Sequence, residues 1–116
     1  MAPADILDER LRFSIVLALT AASADRDLLS QQDELGRRLG MTRAEVKVAR
    51  LGFSFDHRGS KAIAFALALA SGTGSPQWRR DEAVRAGIDA QTCVRIERLA
   101  AELGGPSSFG RKKNAT

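Results

Sequence analysis

With 116 residues, 44% of them apolar and that share dominated by Ala and Leu, the chain suits one helical domain rather than a fibre or a disordered segment. Few β-branched residues and no Tyr favour helix over strand. The formal charge is +4, but Arg111, Lys112 and Lys113 supply +3 of it; 15 Lys and Arg against 14 Asp and Glu elsewhere exclude the broad basic footprint of a nucleic-acid binder.

Periodicity and capping residues predict an all-α bundle of five to six helices. The first covers about residues 4–22, with Pro3 near its start and an apolar stripe of Ile6, Leu7, Leu11, Ile15, Val16 and Leu19. The second is capped by Asp25 and stopped by Gly40, where glycine accepts the left-handed conformation that ends a helix. Thr42-Arg43-Ala44-Glu45 opens the third as a capping box, in which hydroxyl and carboxylate each satisfy an orphan backbone N–H. Gly52-Phe53-Ser54-Phe55-Asp56 breaks the pattern. The fourth helix, about residues 60–70, is apolar nearly all round and should be central.

Gly72-Thr73-Gly74-Ser75-Pro76 is a loop with Ser75 as N-cap and Pro76 as the first residue of helix five, which ends at Ala86-Gly87. Asp89 caps helix six, whose Cys93, Ile96, Leu99, Ala100 and Leu103 share one face, and Gly104-Gly105-Pro106 closes it. The expected division is a single helical domain over 4–104 and a flexible basic tail over 105–116.

Cys93 is the only cysteine and His57 the only histidine. One chain therefore holds no disulfide, CxxC pair, cysteine zinc cage or His-rich metal site, and neither metal nor cofactor is expected. Cys93 falls on the core face of helix six, where a lone thiol acts as a small hydrophobe. His57 falls in a loop between Asp56 and Arg58-Gly59 and reads as an exposed or capping residue. Asp5, Asp8 and Glu9 precede the apolar run of residues 13–22, unlike the basic start of a signal peptide, and that run is too short to span a bilayer. A cytoplasmic protein with no membrane contact is expected.

Three blocks occur in an informative order. Leu7-Asp8-Glu9-Arg10-Leu11-Arg12 leads into Ala18-Leu19; Gln32 to Val46 forms a hairpin; Phe55-Asp56, Ala64-Phe65-Ala66 and Ala83-Val84-Arg85-Ala86-Gly87-Ile88 follow. Together, over roughly residues 6–100, they resemble the alkylhydroperoxidase D-like and carboxymuconolactone decarboxylase family. The resemblance implies that family's helical bundle, a homo-oligomer, a small-molecule substrate of unspecified kind, and a nominal peroxiredoxin-type or decarboxylase-type activity.

In the peroxidase branch a glutamate, two cysteines three apart and a histidine four further on feed a reactive thiolate. The positions implied here hold Phe13, Asp25, Leu28 and Gln32. Gln32 also replaces the decarboxylase branch's histidine and is no general base at neutral pH. Asp25 and Gln32 are the polar remnants and the candidate catalytic pair, and the dithiol cycle is not expected. The last helix departs from the family by running into Gly104-Gly105-Pro106.

The same hairpin has an alternative reading as a helix-turn-helix over residues 32–51. Leu35, Gly36, Leu39-Gly40 and Val46 fit its packing positions, Thr42, Arg43 and Lys47 would face the major groove, and Arg37, Arg38 and Arg50 would approach phosphates. Asp33, Glu34 and Glu45 oppose that approach, so a nucleic-acid partner is not expected.

Overall fold

The computed structural model describes residues 2–103 except 73, with side chains from residue 9 onward. Six helices occupy the described residues: α1 (Ala2–Leu19), α2 (Arg26–Arg38), α3 (Arg43–Arg50), α4 (His57–Ser71), α5 (Pro76–Arg85) and α6 (Ala90–Leu103). No strand occurs among them. The protein is an all-α bundle, as its periodicity indicates.

Side-chain caps set most helix starts. Asp25 accepts the backbone N–H groups of Asp27 and Leu28 at 3.0 and 3.2 Å. The Thr42 hydroxyl accepts from Glu45 N at 3.0 Å while Thr42 N donates to Glu45 Oε1 at 2.7 Å, completing the capping box. Gly40, at φ +82, ends α2 by letting Met41 N reach the Gly36 carbonyl at 2.9 Å and its own N–H reach that of Arg37 at 3.0 Å. The ends of α3 and α5 close through the same pair of bonds.

Two boundaries and one cap differ from the sequence pattern. α1 stops at Leu19: Thr20 N makes the last helical bond, to the Val16 carbonyl at 3.0 Å, and Ser23 N then reaches the Thr20 carbonyl at 3.0 Å in a turn over residues 20–22. α4 starts at His57, since Asp56 Oδ2 accepts Gly59 N at 2.8 Å, so His57 is an exposed first-turn residue rather than a loop residue. Ser75 precedes α5 as its N-cap, but at φ 55 its side chain makes no capping bond, which leaves Pro76 to set the start. Residues 104–116, including the expected basic tail, lie outside the described residues.

α4 is central: it packs against α1, α5 and α6, and Ala62, Ile63, Phe65 and Ala66 are all but inaccessible. α1 is the wall between two apolar clusters. Ile15 and Ala18 join the larger one with Ala83, Ile88, Cys93, Ile96 and Leu99, whereas Phe13 and Leu17 meet Val46 and Ala49 of α3. α1 thus buries two faces. Leu103, placed on the core face of α6 by its spacing, is 41% exposed because the helix runs past the cluster.

Candidate functional site

α2 lies at the edge of the bundle and leaves an open cleft against α1. Phe13 and Val16 of α1 face Leu28, Gln32, Leu35 and Leu39 across a space of about 410 Å³, with Glu9, Arg12 and Gln31 also lining it. That volume lies within the range of small-molecule sites, and mainly apolar walls with a few polar groups are typical of them. Of the four positions implied by the family resemblance, Phe13, Leu28 and Gln32 meet in this cleft. Asp25 does not line it; it is exposed, and its carboxylate is taken up in capping α2.

Gln32 is the one buried polar side chain among the described residues, at 5% exposure. Its Nε2 donates to Thr20 Oγ1 at 2.8 Å. Its Oε1 accepts a long 3.4 Å bond from Arg50 Nη2, which also donates to the Leu29 carbonyl at 3.1 Å. Arg50 Nη1 sits 3.0 Å from Asp33 Oδ1, and Arg50 Nε is buried without a partner among the described residues. One guanidinium therefore ties α3 to two turns of α2, while Gln32 ties α2 to the end of α1. A carboxamide held at both ends is a fixed hydrogen-bonding group and has no proton to exchange at neutral pH.

Sequence spacing does not reveal Thr20 or Arg50 as members of this network. Arg50, a phosphate-approaching residue in the helix-turn-helix reading, turns inward instead. Arg37 and Arg38 both pair with Glu34 of their own helix, the latter at 3.3 Å. Thr42 and Arg43 at the start of α3 and Lys47 one turn on do face solvent, bordering a groove shared with α2. Leu35 is 45% exposed, so it does not fill the buried position that a helix-turn-helix assigns to it.

Cys93 stands away from the cleft. It is fully buried against α4-side apolar residues, and burial pushes its thiol pKa up, so the nucleophilic thiolate is disfavoured. No group of three or more His, Cys, Asp or Glu side chains able to hold a metal occurs among the described residues. No helix among them is long and apolar enough to cross a membrane. Comparison with known protein families, characterised proteins and solved structures returns no match.

Proposed function

We propose that this chain is an alkylhydroperoxidase D-like protein that keeps the family's site as a small-molecule cleft and has lost the dithiol peroxidase cycle. The observation that carries this reading is the meeting of Phe13, Leu28 and Gln32 in one cleft. These positions were matched through the family resemblance alone, and they come from two different helices. The cleft lacks the thiols and the histidine of the family's two chemistries, so a nominal peroxidase or decarboxylase-type assignment does not translate into that chemistry here. A homo-oligomer acting in the cytoplasm belongs to the same reading.

The test is thiol-dependent consumption of an organic hydroperoxide. Wild type and Cys93→Ser should match the rate without protein. The triple variant Asp25→Cys/Leu28→Cys/Gln32→His should gain turnover, because a thiol placed at the start of α2 has its thiolate stabilised there. Robust wild-type turnover lost in Cys93→Ser would overturn the reading. So would a folded triple variant no faster than wild type.

The helix-turn-helix reading stands second, supported by the outward-facing Thr42, Arg43 and Lys47 along α3. The acids of this region are less repulsive than their number implies, since Asp33 and Glu34 are paired with arginines and Glu45 caps its own helix. The same pairing occupies Arg37, Arg38 and Arg50, which leaves Arg43 and Lys47 as the hairpin's basic residues without an ion pair among the described residues.

A further inference from the structure

The connection between α3 and α4 leaves two phenylalanines facing water, Phe53 at 61% exposure and Phe55 at 68%. Both line a hollow of about 440 Å³, to which Leu11, Met41 and Ile88 add apolar wall. That volume falls within the roughly 300–1,000 Å³ of small-molecule sites. The hollow shares no lining residue with the α1–α2 cleft.

The loop that carries the two rings is fixed by its own hydrogen bonds. Phe53 N donates to the Val48 carbonyl at 3.0 Å and Ser54 N to Ser60 Oγ at 2.9 Å. The Ser60 hydroxyl donates back to the Ser54 carbonyl at 2.8 Å, and Asp56 N donates to Ser54 Oγ at 3.0 Å. A ligand that covers the rings therefore orders little backbone that is not already ordered.

Four charged side chains also line the hollow, and three of them have partners in the chain. Glu45 accepts Thr42 N in the capping box of α3, and Asp56 accepts Gly59 N at the start of α4. Each carboxylate thus answers the positive end of a helix. Arg10 Nε donates to the Leu39 carbonyl, at the C-terminal end of α2, at 2.8 Å. Arg58 makes no hydrogen bond or ion pair among the described residues. Asp89 feels its charge, but that carboxylate accepts Thr92 N at 2.7 Å. The Arg58 stem runs beside Gly87, where a Cβ would come within 3.4 Å of Arg58 Cδ. The charge left over at the hollow is therefore positive, on a planar group that takes a carboxylate through two parallel hydrogen bonds.

We propose that this hollow is a small-molecule site in its own right, selective for an aromatic carboxylate. Phe53 and Phe55 pack against the flat ring by offset or edge-to-face contact, and Arg58 binds the carboxylate. The site does not depend on the family reading of the α1–α2 cleft.

Titration of the full chain with 2-naphthoate, followed by the backbone amide NMR signals, tests it. Binding should saturate with a Kd of about 1 mM or tighter. The shifts should centre on residues 53–59 and Ile88, not on Leu28, Gln32 and Leu35. The uncharged 2-naphthamide should bind about tenfold more weakly or worse, for want of a charge-assisted hydrogen bond. Arg58→Gln should lower 2-naphthoate affinity by about the same factor and abolish the preference over the amide. Phe53→Ser/Phe55→Ser should weaken both compounds alike, with an unchanged helical circular dichroism spectrum. No saturable binding, shifts confined to the α1–α2 cleft, or an anion preference that survives in Arg58→Gln would overturn the site. Hydroperoxide turnover, which tests the cleft, is untouched by any of these outcomes.

Discussion

Gln32 sits where the family resemblance implies a catalytic histidine, yet its contacts are those of a structural residue. Its amide donates to Thr20 and its carbonyl accepts from Arg50, so three helical segments meet at one carboxamide. Replacing it with Leu keeps the volume and removes one good hydrogen bond and one long one. Gln32→Leu should therefore cost about 1–2 kcal/mol, mostly because partly buried partners are left unsatisfied. Arg50→Met should cost a similar amount: its ion pair with a largely exposed Asp33 contributes little, but the Leu29 carbonyl loses a donor. Each single change strands the other's partner, so the double variant should cost about 0.5–1 kcal/mol less than the two singles together. Urea unfolding of the four proteins measures this. Strict additivity would show that Gln32 and Arg50 do not act as one unit.

The α2–α3 hairpin is fixed by a contact that only glycine allows. A Cβ placed on Gly36 would lie 2.9 Å from Val46 Cγ2 and 3.3 Å from Phe13 Cε2. Two effects oppose each other in Gly36→Ala. Alanine favours the helix by about 1 kcal/mol, whereas overpacking a closed contact costs about 1–3 kcal/mol. Because Val46 is buried and stiff at χ1, the clash should prevail and the variant should lose stability. In a Val46→Ala background the closer obstacle is gone, leaving Phe13 Cε2 at 3.3 Å with the freed space beside it to shift into, and Gly36→Ala should then cost much less or nothing. An equal loss of stability in both backgrounds would place the fault elsewhere. Element by element, what was legible in the chain was what depends on neighbours in sequence: the Asp25 cap, the Thr42–Glu45 box, the Gly40 stop and the apolar α4. Less legible was what depends on the partner in space. The stripe chosen for α1 omits Phe13 and Leu17 because this helix buries two faces, and Arg50 reads as a surface cation until α2 is laid across it. In the candidate site, the family resemblance implies Phe13, Asp25, Leu28 and Gln32, of which Phe13, Leu28 and Gln32 line one cleft. Asp25 carries two readings there, helix cap and site remnant, and only the cap is realised because its carboxylate accepts from Asp27 N and Leu28 N.

For the whole molecule, the question is whether the hairpin's positive charge amounts to a DNA-binding face. Residues 32–50 carry five basic and three acidic side chains, and the fold pairs most of them with each other. Counterion release scales with the phosphates neutralised, at about 0.9 in the salt slope per contact. With Arg43 and Lys47 as the unpaired cations of this face, the domain should show a slope of about 2. A specific binder making some 6–10 phosphate contacts shows a far steeper one. Arg111, Lys112 and Lys113 can add a salt-sensitive attraction of their own, which should vanish when residues 107–116 are deleted. Duplex binding is accordingly expected to be weak and indifferent to sequence. Gel-shift titration against a random-sequence library, at several salt concentrations and with and without the deletion, reads all of this. Suppose instead that the truncated protein selects one sequence with a Kd of about 10⁻⁸ M or tighter, as specific binders do, and that Arg43→Ala or Lys47→Ala abolishes the selection. The exposed start of α3 would then be a recognition helix, and the cleft between α1 and α2 would no longer explain what the protein does.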